Sequence, residues 1–269
     1  MEKALALDTT IIMHIQNLFN YRYLAWMWTK REIKIRYKQS LLGAAWAILQ
    51  PISLMIIFTL VFSYFVKIPT DGLPYPIFAY TGLLPWTFLA TAITFGVPSL
   101  VNNMGLITKI YFPKEILSIT AVGASFLDFL LGFLVFFFLM VFYRMPFYWT
   151  WIWIPLLILV QIILMLGVIL FASAVNVFYR DIRYVVPLTL QLWFYATPVI
   201  YPISAVPEWL QPLYALNPMA AIIDSYRLTI LLGQPPSPYL ITSFVVSLFG
   251  LFLAYRFFKS VEWKLADII

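Results

Sequence analysis

Long apolar runs are the feature that most constrains the fold of this chain. Five of them reach the roughly 20 residues that a helix needs to cross a hydrocarbon core of ~30 Å. They lie at about 42–66, 75–101, 117–142, 151–177 and 238–258. Backbone groups inside a bilayer have no water to bond, so each crossing must be a helix or a strand of a closed barrel. Because these runs lack the alternation of barrel strands, they predict an all-α membrane protein.

The distribution of Lys and Arg favours an even number of crossings. With six transmembrane helices, 14 of the 17 Lys and Arg residues lie on one side of the membrane. Since an excess of positive charge marks the cytoplasmic side, we expect a multi-pass protein of the cell inner membrane with both termini in the cytoplasm. Five crossings would instead place Arg256, Lys259 and Lys264 outside.

The sixth crossing has to come from residues 185–232, where 48 mostly apolar residues contain six prolines. A proline inside a helix kinks or ends it. We therefore expect a fifth span at 184–203, followed by two short helices, at 206–216 and 218–231, that re-enter the outer membrane face. Irregular backbone at this depth needs protein or a water-filled cavity around it, which indicates a pore mouth. Ordinary loop helices at the membrane surface are the alternative, and it stays open.

The N-terminal segment, residues 1–41, is basic and precedes one transmembrane domain at 42–269. It carries seven Lys or Arg and no uninterrupted apolar core, so we expect no cleavable signal peptide. Residues 14–38 end in a basic run and predict an amphipathic helix on the inner leaflet, although a simple positive anchor fits as well. Because the positive residues adjoin apolar spans, we expect membrane lipids as partners and no nucleic acid.

Three stretches resemble one family. They are KREIKIRYKQSLLGAAWAILQP (30–51), NVFYRDIRYVVPLTLQLWFYATPVIYP (176–202) and LNPMAAIIDSYRLTILLG (216–233). Together they resemble the membrane subunit of ABC-2 type exporters, which move polysaccharides and polyol phosphates such as O-antigen, capsule and teichoic acid. The resemblance implies a homodimer around a conduit for lipid-linked polysaccharide, with the re-entrant helices as its outer gate. It also implies a separate dimer of ATPase subunits on the cytoplasmic face.

The energy source is expected outside this chain. No G-x-x-x-x-G-K-[ST] phosphate loop occurs in it, so we expect ATP and Mg²⁺ to be bound by the partner ATPase and no cofactor here. With no cysteine and a single histidine, His14, the sequence offers no metal site or catalytic triad. The resemblance assigns contacts with the ATPase to cytoplasmic residues, namely Arg31, Glu32, Lys109, Arg180 and Asp181. A local ion pair between Arg180 and Asp181 is an equally good interpretation.

Aromatic residues are candidates for contact with a sugar polymer, because Tyr and Trp combine a large apolar face with a hydrogen-bonding edge. Candidate channel-lining residues are Phe58, Phe62 and Phe65 in the first span and Trp193, Tyr195 and Tyr201 in the fifth. Packing against lipid or neighbouring helices is the competing interpretation. By the resemblance, Trp209, Tyr214 and Asn217 belong to the outer gate.

Asp128 is the one ionisable residue deep in a predicted span. Such a group is costly unless it is paired or hydrated, and it makes a proton-coupled transporter a rival hypothesis. No second acid, His or Lys shares its depth, so a hydrogen bond to a neighbouring Ser, Thr or backbone group fits equally well. We read Gln50, Gln161, Asn176 and Gln191 as interhelical hydrogen-bonding residues. Export of a smaller lipid or a drug by an ABC-2 protein remains the closest alternative function.

Overall fold

A computed structural model describes residues 20–38, 42–66, 70, 72–207 and 209–263, and within these ranges all regular structure is helical. The helices are α1 (Arg22–Tyr37), α2 (Trp46–Thr59), α3 (Tyr75–Gly96), α4 (Ser99–Asn102), α5 (Met104–Ile107), α6 (Glu115–Phe142), α7 (Ile154–Phe178), α8 (Ile182–Tyr195), α9 (Gln211–Leu216), α10 (Pro218–Leu231) and α11 (Tyr239–Val261). Single 3₁₀ turns precede α2 and α7, and a π-helical turn, Leu60–Phe65, extends α2. The expected all-α membrane protein is confirmed.

Among the described residues, five helical segments are long and apolar enough to cross a membrane. They are Gly43–Ser63, Tyr75–Gly96, Glu115–Phe142, Trp149–Phe178 and Tyr239–Val261, and they coincide with the five apolar runs of the sequence. The predicted fifth span at 184–203 does not correspond to one long helix, because α8 has 14 residues and ends at Tyr195. A helix of that length is shorter than the hydrocarbon core, so a crossing at 184–203 would need the irregular chain beyond α8 as well.

Helix α3 lies at the centre of the protein, and its Ile77, Leu83 and Leu89 are fully buried. Helices α2, α6, α7, α8 and α10 all pack against it. Pro85 lies inside the helix, and the Gln161 side chain of α7 donates a 2.6 Å hydrogen bond to the Pro85 carbonyl. Gln161 therefore makes the interhelical bond that the sequence predicts.

Helices α7 and α11 form the most extensive pair, and a glycine lets them approach closely. A Cβ atom at Gly167 would lie 3.1 Å from the backbone nitrogen of Leu251. Small residues at such crossings allow backbone-to-backbone packing, which drives helix association in lipid, where no hydrophobic effect operates between helices.

Helix α1 packs along the first half of α6 instead of standing apart from the spans. The Thr29 side chain faces Gly123, where an added Cβ would lie 3.2 Å from it. The Trp28 ring meets Phe112 edge-on at a centroid distance of 4.8 Å. A second apolar core, which includes Leu100, Leu117 and Phe258, lies beside α1. The placement of α1 on a leaflet stays a prediction, and residues 14–19 of the predicted amphipathic helix lie outside the described ranges.

Candidate functional site

The chain after α8 is irregular from residue 196 to 207, and we call this segment the proline turn. It contains Pro198, Pro202 and Pro207, and its only regular element is the short 3₁₀ turn Ile203–Ala205. Proline has no N–H and cannot continue a helical hydrogen-bond ladder. Buried carbonyl groups in such a segment need other donors, because an unpaired polar group away from water is costly.

Arg227 of α10 supplies those donors. Its side chain is buried at 5% exposure, and its Nη1 donates to the carbonyls of Pro198 at 2.7 Å and Tyr201 at 3.1 Å. Its Nη2 donates to the Val199 carbonyl at 2.5 Å. The guanidinium also lies 3.8 Å from the ring centroid of Phe78, a cation–π contact. One arginine thus holds three carbonyls of the proline turn and fixes the turn to α10 and α3.

Helix α3 contributes two further features to this contact. The Tyr75 hydroxyl donates to the Ile200 carbonyl at 2.9 Å. A Cβ atom at Gly82 would lie 2.4 Å from the Val199 oxygen and 2.8 Å from Nη2 of Arg227. Only glycine therefore leaves room for the turn and the guanidinium against the surface of α3.

Asn217, one of the predicted gate residues, joins the proline turn to the start of α10. Its Oδ1 accepts from the Met219 backbone at 3.1 Å, as an N-cap, and from Trp193 Nε1 at 3.0 Å. Its Nδ2 donates to Thr197 Oγ1 at 3.0 Å and to the Ala196 carbonyl at 3.3 Å. All four hydrogen-bonding positions of the side-chain amide are used, so its orientation is fixed.

Two short helices, α9 and α10, occupy this region; α9 begins at Gln211, five residues after the start predicted for the first of them, and their re-entry into the membrane stays a prediction. The Tyr214 and Tyr201 hydroxyls lie 2.9 Å apart, and the Tyr201 hydroxyl donates to the Tyr195 carbonyl at 2.8 Å. The hydroxyl of Tyr214 is then the donor to Tyr201. Trp209 is different, since it is 75% exposed and stands on the surface. The hydrogen bonds link α8, the proline turn and α9, while the gate role of these residues stays a prediction.

The predicted channel-lining aromatics divide into packed and exposed groups. Phe58 stacks on Phe194 at a centroid distance of 5.9 Å, and Phe62 stacks on Tyr75 at 6.2 Å, so both rings lie within the protomer. Phe65 is 82% exposed. Tyr195 is also exposed, whereas Trp193 packs edge-on against Trp86 at 5.9 Å and Tyr201 is partly buried.

Asp128, in the middle of α6, has a charged partner. Arg36 Nη1 lies 2.6 Å from Asp128 Oδ2, both side chains are largely buried, and the Tyr37 hydroxyl donates to Oδ1. The guanidinium also lies 3.9 Å from the ring centroid of Phe95. Burial raises the pKa of Tyr37 and the hydrogen bond to Asp128 raises it further, so the phenol stays protonated and remains a donor. Asp128 is thus held by α1, and not by the Ser, Thr or backbone group that the sequence analysis names.

A cavity of about 210 Å³ opens beside this ion pair between α1, α2, α3 and α6. Gln50, Thr87 and Thr91 line it together with the ion pair and several aromatic rings. Nη2 of Arg36 is buried and has no hydrogen-bond partner among the described residues. The mixed polar and aromatic wall shows that this part of the membrane domain is not uniformly apolar.

Ionic contacts tie the connection between α5 and α6 to the end of α11. Lys259 lies 2.5 Å from Glu115 Oε1 and 2.8 Å from Glu262 Oε2, and Lys114 Nζ donates to the Glu262 carbonyl at 2.8 Å. On the other side of this connection, Arg31 donates to Asn103 Oδ1 at 3.1 Å.

The residues that the resemblance assigns to ATPase contact lie on this same end. Lys109, Arg180 and Asp181 are exposed, Arg31 is exposed beside a half-buried Glu32, and Arg31 and Glu32 lie 3.8 Å apart. Within the described ranges, Arg180 and Asp181 form no ion pair within 4.0 Å, and Asp181 makes no side-chain cap bond. The local ion pair considered as an alternative is therefore not seen.

The sequence alone does not reveal the roles of three residues of the site. The sequence places Arg36 in a basic run and Arg227 in a mostly apolar stretch, and nothing in it marks Gly82. For Arg227 the available signal is a charge inside a mostly apolar stretch, which must find a partner if it is buried.

Comparison with known proteins identifies the family. Residues 23–231 match the family described as ABC-2 type transporter. The chain belongs to the ABC-2 type transporter family. This result confirms the resemblance drawn from the three sequence stretches.

Several relatives align with most of this ABC-2 chain. It is 30% identical over 263 residues to an O-antigen export system permease protein RfbA of Myxococcus xanthus, covering 96% of this chain and 100% of the relative. An RfbA protein of Klebsiella pneumoniae is 28% identical, with 90% of this chain and 93% of the relative covered. The polysialic acid transport protein KpsM of Escherichia coli is 24% identical, with coverage of 76% and 79%.

Replacing Arg227 by Met should strongly destabilise this ABC-2 chain. The substitution leaves three carbonyls of the proline turn without donors, and each such loss costs about 1–3 kcal/mol. We expect the melting temperature of the purified chain in detergent to fall by about 10 °C, using ~2–4 °C per kcal/mol for a chain of this size. The matched control is Arg144→Met, since Arg144 is exposed. Equal shifts for the two variants would contradict the anchoring role of Arg227.

The ion pair between α1 and α6 predicts a non-additive double-mutant cycle. Arg36→Met and Asp128→Leu should each destabilise the chain by about 3–5 kcal/mol, because each leaves a buried charge unpaired. The double variant leaves neither charge and should be more stable than either single variant. Thermal unfolding of the four proteins measures the coupling. If the two single effects simply add, the residues do not act as a pair.

Proposed function

We propose that this chain is the permease subunit of an ABC transporter that exports a lipid-linked, O-antigen-like polysaccharide across the cell inner membrane. The similarity to O-antigen export permeases over nearly the whole chain carries this proposal. ATP hydrolysis takes place in a separate ATPase subunit, which binds ATP and Mg²⁺. The membrane subunit therefore contributes a conduit and its conformational change, and no chemical step of its own.

The basic residues support an orientation with both termini in the cytoplasm. Arg31, Lys114, Arg180 and Lys259 belong to different parts of the sequence. Contacts around Asn103 and Glu262 bring three of them to one end of the protein, and the exposed turn between α7 and α8 adds Arg180 there. An excess of positive charge marks the cytoplasmic side.

The exposed end of the molecule supports docking of the ATPase on that side. Tyr111 is 93% exposed, and Ile110 and Tyr179 are exposed next to Lys109 and Arg180. Exposed aromatic and aliphatic side chains beside charged ones are typical of a protein interface. Because Lys259 and Glu115 connect this surface to α6 and α11, a push from the ATPase would reach the membrane-spanning helices directly.

The exposed surfaces of α2 and α8 support a homodimer in which these two helices form the subunit interface, which we call the seam. They lie side by side through Phe58 and Phe194, and both leave most of their surface uncovered. Their exposed residues include Gln50 and Gln191. An amide that faces lipid tails has no hydrogen-bond partner, so these faces fit a second copy or a hydrated conduit. A two-fold axis places the same patch on both subunits and encloses one path between them.

The placement of the exposed aromatics fits a sugar polymer moving along this seam. Phe65 is exposed on the π-helical turn after α2, and Tyr195 is exposed on α8. Beyond α8, Tyr201 of the proline turn is hydrogen-bonded to Tyr214 of α9. Weak stacking on successive rings would guide a polymer without holding it. We assign the closing of the outer mouth to α9, α10 and Asn217.

The seam can be tested by cysteine cross-linking, because the chain has no cysteine of its own. Gln191→Cys should form a disulfide-linked dimer in membranes under mild oxidation, since the two-fold axis brings both copies of α8 together. Leu248→Cys on the exposed side of α11 is the control and should stay monomeric on a non-reducing gel. Cross-linking of the control alone would rule out α8 as the seam.

The export function can be tested by deleting the gene in its native host. Surface polysaccharide should disappear and lipid-linked polymer should accumulate on the cytoplasmic side, as measured by surface labelling of intact and lysed cells. Restoring the wild-type chain with its ATPase should restore the surface polymer, whereas an ATPase that binds ATP without hydrolysing it should not. Unchanged surface polysaccharide together with increased drug sensitivity would favour a small-molecule exporter instead.

A further inference from the structure

An apolar groove of about 240 Å³ runs between α3, α7 and α8, away from the proline turn and the ion pair. Its walls are hydrocarbon side chains, with Phe171, Val186 and Leu190 among them. Thr189 is the one hydroxyl in the lining, and the indole N–H of Trp193 is already donated to Asn217. Water would find almost no hydrogen-bond partners in this groove.

The groove has the depth of one membrane leaflet. On α8 it extends from Ile182 to Trp193, which at a rise of 1.5 Å per residue is about 16 Å. The hydrocarbon core of a bilayer is about 30 Å thick, so the groove covers about half of it. One end of the groove lies at the turn where α7 ends and α8 begins. This length suits a single acyl chain that enters from the leaflet on that side.

The groove and the proposed dimer seam lie on different faces of α8. Groove residues Ile182, Val186 and Leu190 repeat at helical spacing and define one face. Tyr184, Leu188, Gln191 and Tyr195 are exposed on another face. A chain bound in the groove would therefore contact lipid at the outside of the dimer and would not block the path along the seam.

Positive charge stands at the mouth of the groove. Arg180 and Asp181 of the turn between α7 and α8, together with Arg183 of α8, carry a net charge of one positive unit. Arg183 is exposed on the first turn of α8, next to groove residue Ile182, and its guanidinium lies 5.2 Å from the Tyr184 ring centroid. No carboxylate of the described residues lies within 4.0 Å of it.

We propose that the groove binds one acyl chain of an anionic phospholipid, whose phosphate is held by Arg183. In the membrane, phospholipid acyl chains surround this face of the protein. An acyl chain fills an apolar groove that is open to the lipid, because the alternative is an empty cavity or unfavourable water. The cargo lipid is a poorer occupant, since the groove is turned away from the seam. The leaflet is the inner one if the proposed orientation holds, and the lipid site itself does not depend on the transported substrate.

Native mass spectrometry of the full chain, released from bilayers of phosphatidylglycerol and phosphatidylcholine, tests the site. The wild-type chain should retain phosphatidylglycerol in preference. Ala172→Trp fills the groove and should abolish the retained lipid, whereas Leu253→Trp, on the exposed surface of α11, should not. Arg183→Gln should still retain lipid but lose about fivefold in preference for phosphatidylglycerol, the factor expected for one basic residue near an anionic surface.

A second measurement keeps the proposal falsifiable if the tryptophan variant does not fold. Thr189→Cys, labelled with a benzophenone reagent and illuminated in the same bilayers, should give an adduct with the mass of a phospholipid. A cross-linked dimer would mean that a second copy covers the groove, and a polyprenyl adduct from native membranes would mean that it holds cargo lipid; either result overturns the proposal. Equal lipid retention by Ala172→Trp and the wild type would overturn it as well.

Discussion

The structure depends on satisfying the backbone of the proline turn inside a membrane protein. Irregular backbone at membrane depth exists only where protein or water supplies hydrogen-bond partners. Here one buried guanidinium, Arg227, donates to three carbonyls of the turn, and Gly82 lacks the side chain that would block it. An arginine suits this task because its planar fork presents several donors in fixed directions. The proline turn therefore has a defined, hydrogen-bonded structure that connects α8 to α10.

A second charged contact, in the middle of α6, gives α1 its place. The bond between Arg36 and Asp128 binds α1 to the middle of α6, with Tyr37 as a second donor. A buried ion pair is weak evidence for stability by itself, because desolvation of both charges opposes it. Its value here lies in position, since an unpaired Asp128 would be costly and the Arg36 and Tyr37 side chains of α1 satisfy it. Asp128 is thereby accounted for without a proton relay.

Long packed helices, rather than loops, connect the ionic cluster around Lys259 with the proline turn. Glu115 and Asp128 both lie on α6, so the ionic cluster with Lys259 and the contact with α1 are joined by one rigid element. Helix α3 packs against α6 and also carries Gly82 and Tyr75, which touch the proline turn. Movement at the basic end can thus reach the turn through two packed helices, which is the connection that transport driven by a separate ATPase requires.

The sequence by itself determined the five long apolar helices, the irregular proline-rich chain after α8 and the short helices on either side of Asn217, although Pro187 lies inside α8 without ending it. These follow from local properties, namely the length of an apolar run and the missing N–H of proline. It also indicated that Asp128 needs a partner, because the cost of a buried charge is independent of the fold. Only the tertiary structure decided that this partner is Arg36 and that Arg227 holds the proline turn. A long side chain can reach many groups, and which of them it meets depends on how distant helices pack. For the same reason, the packing alone placed Phe58 and Phe62 inside the protomer and left Phe65 and Tyr195 exposed.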